Sequence, residues 1–305
     1  MPMPKNWTAA DIPDLSRKFA IVTGTGGLGY ETALELTRHG ASVVLAGRNP
    51  DKGVESLNKI RKLAPGGDIR FALLDLASLV SVAAFGNAMN EAGTPIDILV
   101  NNAGVMSFPD RRLTKDGFEA QFGTNHLGHF ALTARLLPLL RAAKAPRVTT
   151  VSSFLHRIGK LDFDDLQAAR HYSPRGAYGQ SKLANLLFML ELQRRSDARG
   201  WNIMSNAAHP GGAATDLIPN GPGAGGALQR MFTGFLLQSA ADGAWPQLFG
   251  ATAPDAKGAT YYGPSRFLSL KGPPKVTAMS ARARNARDAK RLWEVSEKLT
   301  GVTFA

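Results

Sequence analysis

Residues 19–29 read Phe-Ala-Ile-Val-Thr-Gly-Thr-Gly-Gly-Leu-Gly, a short apolar run that leads directly into a cluster of glycines. Residues 19–22 have the composition of a buried strand, and residues 31–39 read as a helix that Gly40 closes. Glycine lets the backbone approach a pyrophosphate closely, and a helix N-terminus offers unpaired N–H groups. We therefore predict a nucleotide site at this turn, formed by Gly24, Thr25, Gly27, Leu28 and Gly29. A turn that needs glycine only for steric reasons is the alternative.

The same alternation of apolar runs and amphipathic stretches continues through most of the chain. Further strands are predicted at residues 42–46, 69–74, 96–100, 147–151, 201–208 and 261–262. Further helices are predicted at residues 52–63, 79–91, 114–143, 176–196 and 285–299. Repeated β-helix-β units with continuously apolar strands indicate a parallel sheet covered on both faces. The predicted fold class is α/β, a single Rossmann-type doubly wound parallel sheet with helices on both faces.

A chain of 305 residues is long enough for two domains, but the pattern favours one. Residues 1–16 are rich in proline and are predicted to be an N-terminal extension. Residues 17–305 are predicted to form one dinucleotide-binding domain. Only residues 218–274 break its rhythm, and we interpret them as an insertion or a substrate lid.

Composition excludes several classes of protein. The chain has no cysteine, which excludes disulfides, thiolate metal sites and a cysteine nucleophile. The net charge is +12, but no basic run is dense enough to predict a nucleic-acid partner. Residues 1–16 lack the apolar core that a secretory signal needs, and no window of about 18 apolar residues occurs in the sequence. We expect a cytoplasmic protein without a membrane partner.

Tyr178 and Lys182 are spaced to share one face of the predicted helix 176–196. A free phenol has a pKa of about 10, too high for acid/base work at neutral pH. A fixed cation nearby stabilises the phenolate and lowers the pKa. The pair is therefore a candidate acid/base, although an ordinary amphipathic helix with an exposed lysine is the alternative.

Two polar clusters follow neighbouring predicted strands. Val151-Ser152-Ser153 ends one strand, and Asn101-Asn102-Ala103-Gly104 ends another. Parallel sheets bind ligands at the carboxyl ends of their strands. Each cluster alone could be a capping or turn sequence, but together with the glycine turn and the Tyr178–Lys182 pair they predict one site.

The order of these motifs resembles that of the short-chain dehydrogenase/reductase family, from about residue 19 to residue 217. Three further stretches are similar to its retinol-dehydrogenase and protochlorophyllide-reductase-like branch. They are Thr-Asn-His-Leu-Gly-His-Phe at residues 124–130, Tyr-Gly-Gln-Ser-Lys-Leu-Ala-Asn at residues 178–185, and His-Pro-Gly at residues 209–211.

The resemblance implies a role for each matching residue. Tyr178 would be the acid or base, Lys182 would lower its pKa and hold the nicotinamide ribose, and Ser153 would bind the substrate oxygen. Asn125 would anchor the water of a proton relay. The resemblance further implies that several residues contact the cofactor: Asp75, Leu76, Asn102, Ala103, Gly104, Tyr178, Lys182, Pro210, Gly211 and Thr215.

The end of the second strand predicts the form of the cofactor. An NAD site would place an acidic residue near Gly47 to bind the ribose 2′-hydroxyl. Arg48 stands there instead, and Lys52 follows one helical turn later. Both can face a 2′-phosphate, so NADP(H) is predicted; ordinary surface cations are the alternative.

The glycine turn departs from the family pattern Thr-Gly-x-x-x-Gly-x-Gly. Only Thr25 and Gly26 separate Gly24 from Gly27, so the turn is one residue short. Either the tighter turn loses amide contacts to the pyrophosphate, or Gly26 and Gly27 flex enough to recover them.

His126 and His129 are spaced i, i+3, which could suit a metal ion. No third ligand cluster accompanies them, so we predict a structural role and no metal.

The resemblance implies an NADP(H)-dependent oxidoreductase of the alcohol dehydrogenase or carbonyl reductase type. Its substrate would be a small hydrophobic ketone, secondary alcohol or aldehyde. Epimerase or dehydratase chemistry and a non-catalytic NADP(H)-sensing module are the alternatives. Tyr178 follows Ser153 by 25 positions (178 − 153), about twice the commoner family spacing. The extra residues 161–166 precede the helix through which many members form tetramers, so a monomer or homodimer is expected.

Overall fold

The computed structural model describes residues 6–106, 108–212 and 238–304. Its eight strands form one sheet in the order β3-β2-β1-β4-β5-β6-β7-β8. The strands are β1 Phe19–Thr23, β2 Ser42–Gly47, β3 Ile69–Leu73, β4 Ile98–Asn101, β5 Arg147–Val151, β6 Met204–Ala208, β7 Tyr261–Arg266 and β8 Lys271–Val276. The first seven run parallel, and β8 pairs antiparallel with β7. The predicted Rossmann-type α/β fold is confirmed.

Helices cover both faces of the sheet. They are α1 Gly27–Arg38, α2 Pro50–Leu63, α3 Leu79–Ala92, α4 Ala120–Phe122, α5 Gly128–Arg135, α6 Leu137–Ala142, α7 Pro174–Arg199, α8 Ala240–Thr252 and α9 Ala286–Thr300. Side chains of α1, α2 and α8 share one apolar cluster with the sheet. Those of α3, α5 and α7 share another cluster with the opposite face, since alternate strand residues point to opposite sides.

The long helix predicted at residues 114–143 is interrupted. It begins at Ala120 and passes through a π-helical segment, Gly123–Leu127, before α5. Pro138 stands at the start of the separate helix α6, where a missing N–H costs no helical hydrogen bond. The widened π turn contains Asn125, and such turns are common at functional sites.

The predicted insertion at residues 218–274 falls partly outside the described residues. Where it is described, α8 packs against α1 and β5, and β7 and β8 extend the sheet. Residues 240–274 therefore belong to the sheet and its helical layer rather than to an insertion. Strand β8 was not predicted, because its sequence, Lys-Gly-Pro-Pro-Lys-Val, is polar and contains two prolines. An edge strand tolerates proline because one side of it needs no ladder hydrogen bonds.

Candidate active site

A cavity of about 450 Å³ opens at the carboxyl ends of the parallel strands. The chain reverses its direction across the sheet between β1 and β4, and ligands bind at such a point in open α/β sheets. Sixteen of the predicted site residues line this cavity: Gly24, Thr25, Gly27, Leu28, Arg48, Lys52, Asp75, Leu76, Asn102, Ala103, Gly104, Ser153, Tyr178, Lys182, Pro210 and Gly211. Gly29 and Asn125 do not line it, and Thr215 lies outside the described residues.

The shortened glycine turn presents a row of free amides. Gly24 and Gly27 have positive φ angles of 95° and 49°, which the turn requires and which favour glycine. Within the described chain, the N–H groups of residues 25–28 have no protein acceptor, whereas Gly29 N donates to Gly26 O. Unpaired amides at the start of a helix suit a phosphate group. The structure thus favours the second reading of the short turn, in which it still forms a cradle.

Gly29 serves the turn through its missing side chain. A Cβ atom at this position would collide with the main-chain oxygen of Gly24 and would lie 2.7 Å from Asn102 Nδ2. Gly29 therefore allows α1 to approach the ends of β1 and β4 closely. It shapes the cradle without lining the cavity.

Arg48 and Lys52 stand at one end of the cavity. Both side chains are exposed, and neither forms an ion pair with a described residue. Asn49 caps α2 by accepting the Lys52 N–H at 3.0 Å, which places Lys52 in the first turn beside Arg48. Two cations without an ion-pair partner in the described part of the chain, and no carboxylate among residues 46–49, fit a 2′-phosphate.

Asp75 lies on the neighbouring strand end of the same cavity. Its carboxylate accepts the Ala77 N–H at 3.1 Å and pairs with Lys115 at 3.1 Å. These contacts hold the loop after β3 against the cavity.

Ser153 and Tyr178 meet at the other end of the cavity. The Tyr178 side chain is 6% exposed, and both residues line the cavity. Burial raises the pKa of Tyr178 to about 12, and the nearby Ser153 hydroxyl opposes this rise only in part. The sequence-based expectation of a lowered pKa is therefore wrong for the protein by itself. Loss of hydration disfavours the phenolate, and the Lys182 ammonium donates its hydrogen bond to Val151 O rather than to the phenol oxygen.

Lys182 lies one turn further along α7 and is buried as well. Its ammonium lies 5.6 Å from the centre of the Tyr178 ring and donates to Val151 O at 3.0 Å. Burial lowers the pKa of Lys182 to about 8. The alternative of a surface lysine is excluded, because the side chain is 3% exposed and lines the cavity.

Asn125 is held by protein partners at both ends of its side chain. Its amide oxygen accepts Val105 N–H at 2.8 Å, and its amide nitrogen donates to Val105 O at 2.9 Å and Ser181 Oγ at 3.0 Å. The side chain thereby ties the segment after β4 to helix α7.

Sequence reasoning missed residues that support the site from a distance. Gln247 of α8 donates to Asn102 Oδ1 at 3.3 Å and also bonds Thr32 of α1. Thr23 accepts two amide hydrogens from the turn after β4. The sequence contains no local signal for these contacts, because they join segments 79 to 215 positions apart.

The histidines have protein partners. His126 bonds Ser296 at 2.9 Å, and His129 bonds Thr23 at 2.9 Å. Among the described residues, no three histidine, cysteine or carboxylate side chains are grouped so that they could hold a metal ion. No helix in the described ranges is both long and apolar enough to cross a lipid bilayer.

Comparison with known proteins decides the family. The short chain dehydrogenase family matches residues 18–221. The chain belongs to this family. It is an oxidoreductase with the family's fold, as the resemblance implied.

Curated relatives extend this likeness over nearly the whole chain. Mouse polyprenol dehydrogenase is 42% identical over 95% of this chain and 86% of its own length. Human retinol dehydrogenase 12 is 39% identical over 95% of this chain and 88% of its own length. A crystal structure of an uncharacterized protein from Mycobacterium paratuberculosis superimposes with a TM-score of 0.82 at 39% identity, covering 99% of this chain and 100% of that one.

Proposed function

We propose that the protein is an NADP(H)-dependent oxidoreductase that interconverts a hydrophobic carbonyl compound and its alcohol. One observation carries this proposal. A single cavity joins the glycine turn and the two free cations at one end to Ser153, Tyr178 and Lys182 at the other. A dinucleotide lying along it would place its phosphates at the turn and its reactive ring beside the hydroxyl groups.

The residues present fit NADP(H), which would supply the hydride when bound. The free amides of residues 25–28 would hold the pyrophosphate, and Arg48 with Lys52 would hold the 2′-phosphate. The support for NADP(H) over NAD(H) is that Arg48 and Lys52 form no ion pair with a described residue and that residues 46–49 include no acidic residue.

The proton chemistry belongs to Ser153, Tyr178 and Lys182. Ser153 would donate a hydrogen bond to the substrate oxygen, and Tyr178 would give that oxygen its proton during reduction. The raised pKa of Tyr178 keeps the phenol protonated at neutral pH, as a proton donor requires. Lys182 would turn its ammonium toward the ribose and phenol, where its charge favours the phenolate that proton transfer leaves.

The substrate is proposed to be apolar. Val105 and Met106 contribute apolar side chains to the cavity. The relatives named above act on polyprenol and retinol, both apolar alcohols. A nucleotide-linked sugar, the substrate expected of an epimerase or dehydratase, fits this lining less well.

The test is NADPH oxidation with a panel of apolar ketones and aldehydes, with the alcohol product quantified. We expect one alcohol formed per NADPH consumed. The matched variant Tyr178→Phe keeps the ring and removes the proton, so turnover should fall about 10²–10⁴-fold while NADPH still binds. NADPH binding without oxidation would support the sensing module instead. Activity of Tyr178→Phe within a few-fold of wild type would overturn the role of Tyr178.

A further inference from the structure

His129 is a buried residue of α5 that uses both ring nitrogens. Its side chain is 1% exposed. Nδ1 lies 3.0 Å from the main-chain oxygen of Asn125, and Nε2 lies 2.9 Å from the hydroxyl oxygen of Thr23. Thr23 is the last residue of β1 and directly precedes the glycine turn. His129 does not line the cavity, so any effect on the site must act through its partners.

The two partners fix which nitrogen of His129 carries the hydrogen. A carbonyl oxygen only accepts, so Nδ1 must be the donor toward Asn125. Burial lowers the pKa of His129 to about 4, so the ring is neutral at neutral pH. Nε2 is therefore an acceptor, and the Thr23 hydroxyl must donate its hydrogen to it.

This donation sets the orientation of the Thr23 hydroxyl toward β4. A hydroxyl has one hydrogen and two lone pairs. With the hydrogen committed to His129, the lone pairs accept Asn102 N–H and Ala103 N–H, each at 2.9 Å. The Asn102 side chain returns a bond to Thr23 O at 2.7 Å. These bonds connect the glycine turn after β1 to the Asn-Ala-Gly turn after β4.

We propose that His129 is a positioning residue for the cofactor site. It orients the Thr23 hydroxyl, and that hydroxyl holds the turns after β1 and β4 at the spacing that the cofactor needs. This inference rests on the proposed function, because both turns line the proposed cofactor cavity. Without His129, the remaining acceptor for the Thr23 hydrogen among the described residues is Val100 O at 3.4 Å, a longer contact.

His126 provides a matched control. It lies in the π segment of the same helical stretch, is equally buried and is also neutral, because burial lowers its pKa to about 3. Its Nε2 bonds Ser296 of α9, away from both turns. A purely structural role predicts that replacing either histidine has the same consequences, whereas positioning predicts a difference in cofactor affinity.

The test measures NADPH affinity by fluorescence titration and thermal stability side by side. We expect His129→Leu to weaken NADPH binding about tenfold, the loss of roughly one hydrogen bond. His126→Leu should lower the melting temperature with NADPH affinity within about twofold of wild type. His129→Gln, whose amide oxygen can accept the Thr23 hydroxyl, should recover most of the affinity. Equal affinity losses in His126→Leu and His129→Leu would overturn the proposal.

A double-mutant cycle shows whether His129 acts through Thr23. In a Thr23→Val background, His129→Leu should cost no further affinity; a full additional tenfold loss would overturn the proposal. Should His129→Leu fail to fold, Thr23→Val alone decides, since wild-type affinity in that variant contradicts the inference.

Hydrogen exchange separates this inference from the proposed function. The amide hydrogens of Asn102 and Ala103 should exchange faster in His129→Leu than in His126→Leu, with no cofactor added. If the wild type fails to bind NADPH while this difference appears, the proposed function fails and the connection between the turns stands. If NADPH binds and no difference in exchange appears, the positioning role is overturned.

Discussion

The ammonium of Lys182 lies 5.6 Å from the centre of the Tyr178 ring, yet its hydrogen bond goes to the main-chain oxygen of Val151. Both side chains are buried on the same face of α7. Burial drives both groups toward their neutral forms, with the pKa of Tyr178 raised to about 12 and that of Lys182 lowered to about 8. The protein therefore maintains a buried cation at neutral pH at a cost in stability.

Lys182→Met should stabilise the fold while reducing turnover sharply. A fall in the lysine pKa from 10.5 to about 8 corresponds to about 3 kcal/mol of destabilisation at neutral pH, and imperfect packing of methionine reduces the gain to about 1–3 kcal/mol. Below pH 8 the Lys182 side chain is charged in both the folded and the unfolded chain, so the full gain in the free energy of unfolding is expected there. It should fade as the pH rises toward 10.5. Urea unfolding of the wild type and of Lys182→Met at pH 7 and at pH 10 measures the stability gain at each pH.

The control for this variant is Lys52→Met, which removes an exposed ammonium from α2. It should change the free energy of unfolding by less than about 0.5 kcal/mol. A less stable Lys182→Met protein would show that the buried ammonium contributes to the fold.

Arg48→Ala should discriminate between the two nicotinamide cofactors. Arg48 lines the cavity directly after β2 and has no carboxylate partner among the described residues. Loss of a charge-assisted bond to the 2′-phosphate should raise the KM for NADPH about tenfold to a hundredfold and leave that for NADH nearly unchanged. Lys62→Ala, at the far end of α2, is the matched control. An equal change for both cofactors would refute the assignment.

Lengthening the glycine turn tests whether the short form is complete. Residues 25–28 already present free amides in the described structure. Inserting one alanine between Gly24 and Thr25 should therefore give no gain in NADPH affinity, and it should disturb the Ser56–Thr25 hydrogen bond of 2.8 Å. Direct titration with NADPH measures this. Binding tighter by tenfold or more would show that the missing residue removes phosphate contacts.

The fold should lose stability on mild acidification. Burial lowers the pKa values of His126, His129 and His209 from 6.5 to about 3, 4 and 3. As the pH falls, the unfolded chain binds these protons before the folded chain does. The free energy of unfolding therefore has its full value above pH 6.5 and decreases below it. At pH 5 each histidine should cost about 2 kcal/mol. His209→Asn, whose amide oxygen can accept the Gly211 N–H that His209 accepts, should lose about 2 kcal/mol less between pH 7 and pH 5 in urea unfolding. A loss equal to that of wild type would contradict the prediction.

The chain should form a monomer or a dimer rather than a tetramer. Helix α9 packs along α7, and Leu292 of α9 shares an apolar cluster with Leu183 and Leu187. Helix α9 therefore covers part of α7, the helix through which many family members associate. Light scattering at micromolar concentration measures the mass, and a stable tetramer would contradict the expectation.

Local sequence determined the strand, turn and helix at residues 19–38 and the position of each motif at a strand end. Residues 19–22 are apolar and Gly24 takes a positive φ, so nearest-neighbour preferences suffice there. The sequence also predicted that Tyr178 and Lys182 lie together, because helical spacing places residues four apart on one face.

Tertiary structure alone decided which groups surround those residues. Thr23 and His129 are 106 positions apart, and Gln247 meets Thr32 across 215 positions. Such contacts depend on the strand order, which local preferences do not specify. The direction of the pKa shift at Tyr178 depends on how much water the fold removes and on where the Lys182 ammonium points. Spacing alone predicted the opposite direction, because it cannot report burial.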